Sequence, residues 1–283
     1  MAAMQPLSKI TPPPLSVLGA SLDGKVVIVT GGTSGLGKSI AMACAKAGAR
    51  GILITGRDVT RGSLVIAAIV AETSEAIPVS FVPFDLMDPE AAAKVFFEGR
   101  RIFGKVDCLV NCAAITFPRG DLETTTPDLW DTIVTTNLKA PFLLTQQLAR
   151  HLKQRRARGA VVNIGSCAAH GGAPFILAYS CSKAALACLT KNTAAELRPH
   201  GIRVNQVNMG WCLTEAEDRG QSATNPNWLA EADAASPSGR ILRPEDTAAS
   251  VVHLLSKASS MVTGAILDIS PDMLPGMMSG ETC

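Results

Sequence analysis

Tyr179 and Lys183 stand four residues apart in Tyr179-Ser180-Cys181-Ser182-Lys183, at the head of an apolar run that continues to about Leu197. In a helix that spacing puts both side chains on one face, about 6 Å apart along the axis. An ammonium held near a phenol favours the phenolate and draws its pKa from about 10 toward working pH. A tyrosine so tuned is a general acid or base. An amphipathic turn with a solvated lysine has the same appearance, so the pair acquires meaning only from what other elements bring to it.

The first such element is Thr30-Gly31-Gly32-Thr33-Ser34-Gly35-Leu36-Gly37. It follows the β-branched run Val26-Val27-Ile28-Val29, patterned as a strand buried on both faces, and precedes a helix from about Lys38 to Ala47. In that setting glycines let a pyrophosphate approach the backbone, and the helix N-terminus offers unpaired N–H groups and partial positive charge. The next strand, Gly51 to Thr55, ends in Gly56-Arg57-Asp58, where the adenosine ribose of a dinucleotide lies. Gly56 leaves space, and Arg57 offers a planar cation to a 2′-phosphate, favouring NADP(H) over NAD(H). The competing reading has Arg57 solvated and Asp58 capping the next helix.

Strand and helix patterns then alternate along the chain. A helix near 59–73 leads to a strand over Val79–Pro83, followed by Asp85-Leu86 at the expected adenine edge. Asp88-Pro89-Glu90 reads as an N-cap with proline at the first helical position. That helix runs to about Phe103, and a strand over Val106–Val110 ends in Asn111-Cys112-Ala113-Ala114. A long helix over 127–151 carries Asn137 at its middle, and Val161–Ile164 is a strand ending in Gly165-Ser166. The Tyr179 helix, a strand over Arg203–Val207, a helix from Arg243 and a strand over Gly264–Asp268 complete the series. The pattern predicts one α/β domain built on a doubly wound parallel sheet with helices on both faces, over 21–283. Residues 1–20, with Pro12-Pro13-Pro14, are expected to form a tail. The stretch 209–240 lacks clear periodicity, and its part from Trp211 is expected to be a lid loop.

With 26 basic against 24 acidic residues, the net charge of +2 gives no footprint for nucleic acid or an anionic membrane. The cluster Lys153-Gln154-Arg155-Arg156-Ala157-Arg158 suits a helix C-terminus. No apolar run reaches membrane-spanning length, and no signal-peptide pattern opens the chain. The eight cysteines are scattered, and Cys108 and Cys112 lack the further ligands of a zinc site. These features predict a cytoplasmic protein with reduced, mostly buried cysteines and no metal.

The motifs in this order resemble the short-chain dehydrogenase/reductase superfamily, from about Leu22 to Asp268. The TGxxxGxG loop matches Thr30, Gly31, Gly35 and Gly37; the adenine-side Asp matches Asp85; YxxxK matches Tyr179 and Lys183. Asn137 and Ser166, the latter 13 residues before Tyr179, fall on the helix Asn and the serine of the catalytic set. NNAG is reduced to Asn111-Cys112-Ala113-Ala114, PGxxxT becomes Met209-Gly210-Trp211-Cys212-Leu213-Thr214, and of the late DGG only Asp268 remains. The resemblance implies a Rossmann-type fold, a small-molecule carbonyl or alcohol substrate, a homodimer or homotetramer, and catalysis by Asn137, Ser166, Tyr179 and Lys183. It further implies a cofactor held by Gly31, Thr33, Ser34, Gly35, Leu36, Gly37, Arg57, Asp85, Leu86, Asn111, Ala113, Gly210, Cys212 and Thr214, together with Asn137, Tyr179 and Lys183. Tyr179 would give a proton to a carbonyl oxygen held by Ser166 as hydride reaches the carbon. Lys183 would lower the Tyr179 pKa and bond the nicotinamide ribose, and Asn137 would hold a water leading to solvent.

Other side chains stay open between two readings. His170 either bonds a substrate oxygen or faces solvent. Trp211 and Trp228 line a substrate wall or pack the lid down, Glu215, Glu217 and Asp218 read as a solvated lid face, and Phe117 and Arg119 are candidate cleft residues. An isomerase or epimerase without net redox turnover, and a cofactor-sensing binding protein, remain the alternatives to an oxidoreductase. An intact Ser-Tyr-Lys set argues against the sensor.

Overall fold

The computed structural model describes residues 19–73, 77–88 and 90–270. The expected tail falls outside them up to residue 18, as does Pro89. The elements run β1 Val26–Thr30, α1 Gly35–Lys46, β2 Gly51–Gly56, α2 Val59–Glu72, β3 Val79–Pro83, α3 Ala91–Phe103 and β4 Cys108–Asn111. Next come α4 Pro127–Val134, a π turn Thr135–Lys139, α5 Ala140–Gln154, β5 Gly159–Ser166, a 3-10 turn Cys167–His170, α6 Leu177–Leu197 and β6 Ile202–Met209. The series closes with α7 Glu215–Ser222, α8 Trp228–Ala235, α9 Pro244–Leu255 and β7 Ile266–Ile269. Among the described residues, seven strands pair in parallel in the order β3-β2-β1-β4-β5-β6-β7.

Strand alternation divides the core into two layers. Val27, Val29, Ile52 and Ile54 face α1, α2 and α9, where they meet Ile40, Cys44, Ile69 and Val251. Ile28, Leu53, Leu109 and Val161 face α3, α5 and α6, meeting Val95, Leu144, Leu148 and Leu197. The strands are therefore apolar on both faces, as a parallel sheet between helix layers requires. Reversal of strand order between β1 and β4 opens a crevice at the C-terminal ends of the strands, the place where such sheets bind ligands.

Three expectations are corrected. The helix foreseen as continuous over 127–151 is broken at Thr135–Lys139 by a π turn, which places buried Asn137. The stretch 209–240 is not one loop: it holds α7 and α8. Asp88 does not cap α3 itself; its carboxylate accepts from the Glu90 N–H at 2.9 Å, and Glu90 is the capping residue. Asp58 does cap α2, accepting from the Arg61 N–H at 3.0 Å. Cysteines at 44, 108, 167 and 212 are buried, while Cys181 and Cys188 are exposed.

Candidate active site

The crevice at the switch point is a cleft of about 350 Å³. The loop from β1 to α1 forms its floor. Thr30 Oγ1 accepts from the Cys112 and Ala113 N–H groups at 3.0 and 3.1 Å, so the segment after β4 is pinned against the glycine loop. Gly31 has φ +66, and a Cβ there would lie 2.9 Å from the Ala113 Cα; a Cβ on Gly37 would run into the Gly31 carbonyl oxygen. No side chain fits at either place, which leaves exposed backbone at the N-terminus of α1. Ser34 caps that helix without a side-chain bond to it.

Gly31, Thr33, Ser34, Gly35, Leu36, Gly37, Arg57, Asp85, Leu86, Ala113, Thr214, Tyr179 and Lys183 all line the cleft. Gly56 is needed because a Cβ there would sit 2.7 Å from Thr33 Oγ1. Arg57 is exposed and joins no ion pair among the described residues. Glycine backbone and a guanidinium in one cleft fit a dinucleotide that carries an extra phosphate.

Tyr179 and Lys183 line the same cleft. Burial is the larger effect and raises the Tyr179 pKa, outweighing the nearby Ser166 and Thr116 hydroxyls, which act to lower it. This reverses the expected lowering. Lys183 Nζ lies 5.6 Å from the ring centroid and donates to the Ile164 carbonyl at 2.7 Å. Burial also pulls the Lys183 ammonium down to about 8. Thr116 and the Ile164 carbonyl were not anticipated. Thr116 carries no pattern of its own, and a backbone acceptor is invisible in a sequence.

Asn137 is fully buried and committed to the frame. Its Oδ1 accepts from the Ile115 N–H at 2.8 Å, and its Nδ2 donates to Ile115 O at 3.0 Å and Ser182 Oγ at 3.1 Å. Its amide therefore fixes the cleft wall after β4 to the helix that carries Tyr179. Of the predicted site residues, Asn111, Asn137, Ser166, Gly210 and Cys212 are not among those lining the cleft. The Asn111 amide points into the interior and donates to Asn163 Oδ1 at 2.8 Å. Gly210 passes beneath Ser270, and buried Cys212 bridges to Leu242. Thr214 meets the cleft while accepting from the Glu217 N–H at 3.2 Å.

His170 Nε2 lies 3.1 Å from Asp268 Oδ2. Trp228 is buried, and its indole N–H donates to Asp218 at 3.0 Å; that of Trp211 donates to Glu217 at 3.0 Å. The two rings pack 5.8 Å apart in a small core with Leu213, Leu229 and Ile241. The tryptophans thus hold α7 and α8 together, and two of the three carboxylates read as solvated bond indoles instead. The Arg119 guanidinium stacks on Phe117 and Phe175, 5.0 and 5.6 Å from their centroids.

A family model described as Enoyl-(Acyl carrier protein) reductase matches residues 31–270. The chain is 33% identical to the gluconate 5-dehydrogenase of Gluconobacter oxydans over 87% of its length and 93% of that protein's. It is 35% identical to the L-xylulose reductase of Bos taurus, over 89% and 98%. A solved structure from Beutenbergia cavernae, assigned as an NAD(P)-dependent gluconate 5-dehydrogenase and holding NADP at low occupancy, superposes with a TM-score of 0.79 at 32% identity, over 89% and 97%. Coverage on both sides is nearly complete, and the strand order, glycine loop and Ser-Tyr-Lys cluster agree with it: the chain belongs to the short-chain dehydrogenase/reductase superfamily of oxidoreductases.

Proposed function

We propose that this protein is an NADP(H)-dependent oxidoreductase that reduces a ketone or aldehyde, or oxidises a secondary alcohol, with Tyr179 as proton donor or acceptor. The observation that carries the reading is one cleft lined by a free-standing Arg57 and by Tyr179 and Lys183, with the Ser166 hydroxyl near the phenol. Bound along the glycine loop, a nicotinamide cofactor supplies or accepts the hydride. In reduction the Tyr179 hydroxyl gives its proton to the carbonyl oxygen, and the Ser166 hydroxyl holds that oxygen and stabilises the charge developing on it. Lys183, already fixed on the Ile164 carbonyl, favours the phenolate that results and would hold the cofactor ribose. Asn137 keeps the wall and the Tyr179 helix in register. The segment 211–240, with α7 and α8 joined through the tryptophans, acts as the lid, and α4 and α5 present a face on which copies of the chain form a dimer or tetramer.

Relatives that act on gluconate and L-xylulose favour a polyhydroxylated ketone or its alcohol as substrate. The test is absorbance at 340 nm with L-xylulose, diacetyl and a 3-oxoacyl thioester against NADPH and NADH, and with gluconate against NADP+ and NAD+. NADPH is expected to be preferred, and Arg57→Ala to lower kcat/KM for NADPH at least about tenfold while leaving NADH within about twofold. A wild-type preference for NADH contradicts the cofactor assignment.

A further inference from the structure

A hydrogen-bonded line of side chains crosses four strands on the α5–α6 side of the sheet. Asn111 Nδ2 on β4 donates to Asn163 Oδ1 on β5, and Asn163 Nδ2 donates to Thr190 Oγ1 on α6, each at 2.8 Å. The single Thr190 hydroxyl hydrogen is shared between the Leu186 carbonyl at 2.8 Å and Gln206 Oε1 on β6 at 3.1 Å, and Gln206 Nε2 donates to Asn208 Oδ1 at 2.7 Å. Asn208 Nδ2 donates to Asp268 Oδ1 on β7 at 2.7 Å, and the other carboxylate oxygen meets His170 Nε2 at 3.1 Å. A carboxylate only accepts, so Nε2 carries the hydrogen. The amides all donate toward Asp268, and the five uncharged members are at most 3% exposed. Buried amides left unpaired cost about 1–3 kcal/mol each, so such a line is held together as a unit.

The line touches the Ser166 turn at both ends. Gly165, directly before Ser166, pairs with Asn208 in the sheet, and a Cβ on it would run into Asn208 Oδ1 and Gln206 Nε2. Four residues after Ser166, His170 is tied to the carboxylate that Asn208 holds. Ser166 itself caps the turn between these points, its Oγ accepting from the Ala168 N–H at 3.1 Å. The edge strand β7 is already held by its ladder to β6 and by the Asn208–Asp268 bond, without His170. What His170 adds, from an exposed position, is a tie between the far end of the turn and Asp268.

We propose that His170 and Asp268 are positioning residues that brace the Ser166 turn against the buried amide line, so that the Ser166 hydroxyl stays aligned with Tyr179. The proposal rests on the oxidoreductase reading above. A displacement of about 1 Å in a group that orients substrate costs on the order of a hundredfold in rate. The experiment compares wild type, His170→Ala, His170→Gln and Asp268→Ala by kcat, KM for NADPH and melting temperature, using whichever carbonyl of the panel wild type reduces. The His170→Ala change is expected to lower kcat at least about tenfold with KM for NADPH within about twofold. Gln places an N–H near the Nε2 position, and His170→Gln is expected to return kcat to within about threefold of wild type. Asp268→Ala cuts the same tie from the other side and serves if His170→Ala does not fold. Wild-type kcat in His170→Ala, with or without a lower melting temperature, overturns the brace and leaves the oxidoreductase reading intact. A loss that Gln does not restore also overturns it, because the imidazole would then act on the substrate directly. Absence of any turnover by wild type overturns the oxidoreductase reading, and the brace falls with it.

Discussion

Lys183 is 2% exposed, and burial brings its ammonium to about 8 against an ordinary 10.5. Between those values the unfolded chain binds more protons at this site than the folded one, so stability contributed by the site rises with pH across that window. Below it both states are protonated, and the folded protein carries the full cost of a buried charge. Lys183→Met is therefore expected to abolish turnover yet raise stability at pH 7 by roughly 2 kcal/mol, after allowance for the lost bond to Ile164. The gain should fade between about pH 8 and 10.5. Denaturant melts at several pH values check this, and a variant less stable than wild type at pH 7 would refute it. The pairing of Tyr179 with Lys183 was legible from spacing once Ser166, Asn137 and the glycine loop stood at their intervals from it. Its electrostatics were not, because the burial that raises the phenol pKa comes from elements distant in the chain.

At the scale of elements, α7 and α8 form a small unit on the Trp228, Trp211 and Ile241 core rather than a loose loop. Trp228→Ala is expected to cost about 3 kcal/mol and to raise KM for substrate more than it lowers kcat. Urea melts and steady-state kinetics measure both, and unchanged stability would show that this core does not hold α7 and α8 in place. Glu215–Ser222 was hidden from periodicity because its sequence is almost wholly polar and it buries no residue. One signal was present: Thr214 followed three residues later by Glu217 is a helix-start pattern, and Thr214 does accept from the Glu217 N–H. The π turn at Asn137 left no such mark, since its geometry is set by what Asn137 bonds across the fold.

At the scale of the molecule, apolar strands alternating with helices were enough to foresee a doubly wound parallel sheet, with phosphate binding at the glycine loop after its first strand. Contacts such as His170 with Asp268, 98 residues apart, were not foreseeable, because they depend on the register of β5, β6 and β7. Trp130 and Phe142 stand partly exposed on α4 and α5, apolar area of the kind copies of a chain cover. Light scattering after size exclusion is expected to give a dimer or tetramer, and a monomer at micromolar concentration would reject that assembly. The central claim is that Tyr179 moves the proton in a hydride-transfer reaction, and Tyr179→Phe tests it most directly. Removing the hydroxyl is expected to lower kcat about 10²–10⁴-fold while NADPH, titrated by its fluorescence, binds as to wild type. Turnover within about threefold of wild type would contradict the account.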